Sequence, residues 1–125
     1  MSPELSPIIL FVYNRKWHTE QTIEALKNNE LASESVLYVF SDSAKKEKDK
    51  KSVEDVRKII RNISGFKKVE VIEASQNIGC ADSIIQGISH VMERHGKAII
   101  VEDDIVTAPN FLEFMNEALI KYEKN

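Results

Sequence analysis

Four apolar runs alternate along the chain with four segments whose apolar residues recur at helical spacing. The first run, Ile8 to Tyr13, ends at Asn14-Arg15. A helix then starts from about Thr19, a residue type suited to an N-cap, carries Ile23 and Leu26 on its inner face, and frays near Asn28-Asn29. Val36 to Phe40 is the second strand, with the polar end Ser41-Asp42-Ser43. Ser52 and Asp55 form a capping-box-like pair ahead of a helix whose Val53, Val56, Ile60 and Ile63 share one stripe, and Gly65 closes it. The third strand, Val69 to Ile72, leads through Ala74 to Gly79 into a helix that opens near Cys80. That helix has Ala81, Ile84, Ile85, Ile88, Val91 and Met92 on a broad apolar face and stops at Gly96. Lys97 to Val101 is the fourth strand. Pro109, a residue favoured in the first turn of a helix, precedes Phe111, Phe114, Met115, Ala118, Leu119 and Tyr122, which mark a fourth helix.

The resulting order is βαβαβαβα. Strands alternating with helix-length crossovers require a parallel sheet, and the expected architecture is α/β, a Rossmann-like open parallel sheet with helices on both faces. No internal repeat or linker interrupts the 125 residues, which are read as one domain.

The abrupt change from Ala98–Val101 to Glu102-Asp103-Asp104 is the strongest local signal. A short continuous apolar run reads as a strand buried on both faces, so charge appears where burial ends. In open α/β sheets ligands bind outside the carboxyl ends of the strands, and all four ends here are polar. They supply Asn14 and Arg15, then Asp42, then Asn77 and Gly79, then Glu102, Asp103 and Asp104. An acidic strand end facing water accounts for one or two acids more easily than for three in a row, because adjacent like charges repel unless water or a cation screens them. Neither GxGxxG nor GxxxxGK[ST] is present, so phosphate would have to be held by means other than a glycine cradle. A divalent cation on the acidic triplet meets that need, since Mg²⁺ or Mn²⁺ is bound through one or two carboxylates together with substrate phosphates.

Bulk properties narrow the field further. Seventeen Lys and Arg against 20 Asp and Glu give a formal charge of −3, which carries no general nucleic-acid signature. The apolar stretches fall far short of the ~20 residues of a membrane span, and no basic, apolar leader opens the chain. A lone cysteine, Cys80, excludes an internal disulfide and suits a reducing compartment, so a cytoplasmic location is expected.

With these residues in view, the chain resembles the nucleotide-binding half of a GT-A glycosyltransferase, most closely the N-acetylglucosaminyltransferase I type. The resemblance rests on the strand ends Asn14-Arg15 and Ser41-Asp42. Above all it rests on Ile100-Val101-Glu102-Asp103-Asp104, an EDD motif, with Ala108-Pro109-Asn110-Phe111-Leu112-Glu113-Phe114 behind it. It extends from Pro7 to about Tyr122, although Lys45 to Glu73 matches only in pattern. It implies a nucleotide-diphospho-sugar transferase fold that binds a UDP-sugar with Mn²⁺ (or Mg²⁺) and transfers the sugar to a hydroxyl of a glycan or other acceptor with inversion.

Carried onto this chain, the resemblance implies that Arg15 and Asp42 hold the uridine, with Asp42 accepting from the uracil ring and Asn14 shaping the turn. Asp104 becomes the direct metal ligand, Asp103 the contact to ribose or to metal-bound water, and Glu102 the residue facing the sugar hydroxyls. Asn77 to Asp82 is similar to the Asn-x-Gly stretch beside the nucleotide, which makes Asn77, Gly79 and Asp82 further donor-site candidates. The family's general base falls beyond Asn125, so the 125 residues are expected to be a C-terminally truncated part of the enzyme, with no turnover of their own.

Other polar features take plainer readings. The five lysines between Lys45 and Lys51 could help attract a diphosphate, but a solvated loop is the plainer reading, as it is for most charge runs. His18 reads as a surface or capping residue, and His90 and His95 sit where histidine favours the negative end of a helix. Cys80 lacks a partner for nucleophilic chemistry. Two other function classes are kept. A sugar nucleotidyltransferase should carry a glycine-rich basic loop after its first strand, which Asn14-Arg15-Lys16-Trp17 is not. A noncatalytic regulatory α/β module should concentrate its acids at the first strand end, whereas here they follow the fourth. An uncovered sheet edge or helix face would favour association with a second copy.

Overall fold

The computed structural model describes residues 4–123 and contains β1 (Ile8–Val12), α1 (Lys16–Lys27), β2 (Val36–Ser41), α2 (Lys50–Ile60), β3 (Lys68–Glu73), α3 (Cys80–His95), β4 (Ile99–Glu102) and α4 (Phe111–Glu123). All four strands are parallel, in the order β3-β2-β1-β4. Ile8 of β1 lies opposite Leu37 of β2 and Ile99 of β4, so the ends of all three strands reach the same rim. The chain first steps outward from β1 to β3, then returns across β1 to add β4. The direction therefore reverses between β1 and β4, the kind of crevice at which open α/β sheets bind ligands.

The period of two along β1 separates two cores. Ile8, Leu10 and Val12 face one way and join Leu37, Val39, Ile99 and Val101 beneath Ile23 and Leu26 of α1, Val56 and Ile60 of α2, and Leu112 of α4. Ile9 faces the other way, with Tyr38 and Val91 of α3, and Phe11, Phe40 and Ile88 pack against them. Three helices thus cover one face and α3 covers the other, in agreement with an α/β sheet clothed on both sides. Among the described residues no helix is long and apolar enough to cross a membrane.

Several local expectations are corrected. β4 is not buried on both faces: Ile99 and Val101 are buried, but Ile100 is 47 % exposed. The reason is position, because β4 is the sheet edge and α3 packs over β1 and β2. The β4 ladder also begins at Ile99 and includes Glu102, so it is shifted towards the rim. Helix α1 starts at Lys16, and Thr19 is a fully buried residue within it, its N–H donating to the Arg15 carbonyl. Helix α2 starts at Lys50, where Ser52 bonds back to the Asp49 carbonyl and Asp55 pairs with Lys51, so the capping box does not form. This helix ends at Ile60, and Gly65 (φ 92°) shapes the following loop. Only part of the lysine segment is loop, since Glu47–Asp49 forms a 3₁₀ turn running into α2. Pro109 lies in the turn before α4. Phe114 is exposed, and Leu112 takes the buried place on α4; the Tyr122 side chain lies outside the described residues. Gly96, by contrast, closes α3 in the left-handed conformation (φ 74°) that favours glycine.

Candidate functional site

A cleft of about 560 Å³ opens between the carboxyl rim of the sheet and the start of α3. Strand β1 contributes Phe11 and, beyond its end, Tyr13, Asn14 and Arg15. Strand β2 contributes Phe40, then Asp42 and Lys45. The turn into α3 adds Asn77, Gly79 and Cys80, and the β4 end adds Glu102 and Asp103. Phe11 and Phe40 form its aromatic floor, stacked at 5.6 Å between ring centroids. Gly87 makes this floor possible: a Cβ at that position would lie 2.7 Å from the Phe11 ring. The Tyr13 hydroxyl accepts from the Lys45 N–H at 2.9 Å and ties the first two strand ends together.

The acidic triplet spans the end of β4 and the turn after it, and its three carboxylates have different surroundings. Glu102 is exposed and lines the cleft. Asp103 is buried on the α1 side, where Arg15 Nη2 donates to its Oδ1 at 2.7 Å and the Thr22 hydroxyl donates to its backbone carbonyl at 2.9 Å. Asp104 turns outward with its side chain 45 % exposed, its Oδ2 lying 3.9 Å from the same arginine. Arg15 thus bridges β1 and β4 at the point where the strand order reverses. Burying Asp103 is tolerable because a charged donor compensates it.

Asp42 is the most heavily hydrogen-bonded carboxylate of the cleft lining. Its Oδ1 accepts from the backbone N–H of Ser43 (2.8 Å) and Ile78 (2.9 Å), and its Oδ2 from the Gly79 N–H (2.9 Å) and Asn77 Nδ2 (3.1 Å). Behind it Arg57, reaching from α2, donates to the carbonyls of Ser41 (3.1 Å) and Ala74 (2.9 Å) and to both the Ser41 and Ser43 hydroxyls. Arg57 was not among the expected site residues. Its signal was an arginine beside Val56 in the otherwise apolar stripe of α2.

Seven of the residues singled out from sequence, Asn14, Arg15, Asp42, Asn77, Gly79, Glu102 and Asp103, line this one cleft. Asp82 is exposed in the first turn of α3 and does not line it, and Asp104 lies just outside it. His18 is exposed and stacks edge-on against Trp17. His95 bonds the Tyr38 hydroxyl at 2.7 Å beneath α3, away from the rim. No group of three His, Cys, Asp or Glu side chains among the described residues is arranged as a ready-made metal cage. The donor set still suits a hard cation that arrives with a phosphate ligand, because such an ion needs only one or two protein carboxylates and Asp104 and Glu102 are both accessible.

Fold and site together define a Rossmann-like α/β domain with a polar cleft at the reversal point of a parallel sheet. No protein-family model matches the chain, and no curated protein matches it.

Proposed function

We propose that the chain is the nucleotide-sugar-binding part of a GT-A-type glycosyltransferase. It would take a UDP-sugar together with Mn²⁺ or Mg²⁺ and serve transfer of the sugar to an acceptor hydroxyl with inversion. The observation that carries this reading is the convergence of all four strand ends on one cleft large enough for a nucleotide, with the acidic triplet at its edge.

In this reading the Phe11–Phe40 floor and Tyr13 offer apolar surface to the base and ribose, while Lys45 and Arg15 offer positive charge to the diphosphate. Asp104 would hold the cation. When bound, the cation stabilises the negative charge that builds on the diphosphate as the anomeric bond breaks, by several kcal/mol. Glu102, which lines the cleft, would face the sugar hydroxyls, and Asp103 keeps Arg15 at the junction of β1 and β4. The general base for the acceptor is assigned to none of the described residues.

The test is calorimetric titration of UDP with and without Mn²⁺, on the wild type and on Asp104→Asn. Mn²⁺-dependent binding is expected, weakened at least about tenfold in the variant, the scale for losing one charged metal contact. Folded wild-type protein that does not bind UDP under either condition would refute the assignment.

A further inference from the structure

We infer that Asp42 is a positioning residue: its carboxylate holds Ser43 and the Asn77–Gly79 turn in place as a wall of the cleft, and it is not the acceptor that reads the nucleobase. The inference rests on the cleft being the nucleotide site proposed above. A carboxylate offers about four lone-pair positions, and four donors of this chain already fill them at 2.8 to 3.1 Å. Three of those donors are backbone N–H groups, and such bonds to an ionised acceptor are roughly twice as strong as neutral ones. A base N–H could reach Asp42 only by displacing one of them and leaving a backbone donor without its partner.

The surrounding bonds show what the carboxylate holds. Arg57 and the Ala74 N–H, which donates to the Ser41 carbonyl at 2.9 Å, fasten the end of β3 to the end of β2. Beyond Ala74 the chain runs exposed through Ser75, Gln76 and Asn77 before Gly79 (φ 99°) admits it to α3. Between these two points the turn meets β2 and its end through Asp42 and through the Asn77 amide, which also donates to the Ser43 carbonyl at 2.8 Å. Asn77 and Gly79 line the cleft, so the position of this turn sets the cleft's width on the α3 side. Asp42 would therefore govern affinity for any nucleotide that fits, while the choice of base belongs to other groups.

Uracil presents a donor at N3 where cytosine presents an acceptor, so UDP and CDP separate the two roles. In Asp42→Asn, one acceptor oxygen remains and an amide faces the turn's N–H groups. Affinity for UDP and for CDP should fall by the same factor, about tenfold, and hydrogen exchange of the Ile78 and Gly79 amides in the ligand-free protein should accelerate by at least as much. Asn77→Ala, a change at an exposed position, should lower affinity for both nucleotides in parallel to a smaller extent, and it carries the test if Asp42→Asn does not fold. A selective loss of UDP in Asp42→Asn with unchanged amide exchange, or a gain in UDP affinity in Asn77→Ala as an oxygen of Asp42 is released, would overturn the inference. If the wild type binds neither nucleotide, the functional proposal fails, and the exchange rates alone decide whether Asp42 clamps the turn.

Discussion

Replacing Gly87 by alanine sets two well-characterised effects against each other in the helix above the cleft floor. In an exposed helix interior Gly→Ala stabilises by about 0.8–1 kcal/mol, because glycine loses more backbone freedom on folding. At this position, however, the new Cβ would stand 2.7 Å from Phe11 Cε1, 3.0 Å from Cζ and 3.2 Å from Phe40 Cδ2. Carbon atoms in contact prefer about 3.5–4.0 Å, so the closest approach is nearly an ångström too short. The Phe11 ring is stacked on Phe40 and cannot retreat in that direction. Either α3 lifts from β1, or the ring swings into the cleft.

Overpacking of this kind costs about 1–3 kcal/mol, which exceeds the propensity gain and leaves Gly87→Ala destabilised by about 1 kcal/mol. For a chain of this length that corresponds to a fall in Tm of roughly 4 °C. Urea unfolding followed by far-ultraviolet circular dichroism measures the difference directly. Ser89→Ala, on the exposed side of the same helix, isolates the propensity effect and should be neutral or stabilising by a few tenths of a kcal/mol. A Gly87→Ala protein more stable than the wild type would refute the reasoning, since it would mean that the floor of the cleft yields without cost.

Arg15→Met should leave the buried Asp103 carboxylate without its cation and lower stability by about 1 kcal/mol in urea unfolding, a figure kept small because the arginine is half exposed. Asp103→Asn in the same background should recover part of the loss, and no recovery would show that the pair is not coupled. At the outer end of β3, hydrogen bonds from the Arg61 guanidinium at 2.7 Å to both carboxylate oxygens hold Glu73 below the ordinary glutamate range, against a smaller opposing effect of burial. Because its folded pKa is depressed, Glu73 contributes stability that is present above its unfolded value of about 4.3 and is lost as the pH falls through the folded value. The wild type should therefore exceed Glu73→Gln in urea midpoint at neutral pH, and the gap should close in acid; a gap that widens on acidification would contradict the assigned sign.

The interior of the fold was legible because local pattern and burial coincide there. Ile8 to Val12 is apolar throughout, and a central strand covered by α1, α2 and α4 on one face and α3 on the other has no place for a polar residue. Gly96 could be read as a stop because the backbone there requires positive φ. The exposure of Ile100 could not be read, since Ala98 to Val101 looks as apolar as a central strand and its edge position follows from strand order, which no local pattern encodes. Helix starts failed for a related reason: Thr19 and Ser52 are good capping residues in isolation, yet contacts with the core and with the preceding turn begin both helices earlier. At the site, the strand-end rule located the residues, but their pairings are long-range. Arg15 and Asp103 are separated by 88 positions, and Asp42 meets donors 35 to 37 positions away.

Those pairings also bear on which kind of ligand matches the rim. Asp103 is paired with Arg15, whereas Asp42 keeps its negative charge because its four donors are all neutral, although they fill its lone pairs. Among the described residues, Glu102 and Lys45 line the cleft without an ion-pair partner, and Asp104 has only a 3.9 Å contact with an arginine already bonded to Asp103. The charge still open to a ligand is therefore mixed, with the Glu102 and Asp104 carboxylates at the β4 end and, at the β2 end, the Lys45 ammonium together with Asp42, whose lone pairs are already filled. A free divalent cation would satisfy the β4 carboxylates but leave Lys45 without a partner, and a bare diphosphate would do the reverse. A diphosphate carrying its own cation satisfies both, because its cation can face the carboxylates while its phosphates face the ammonium.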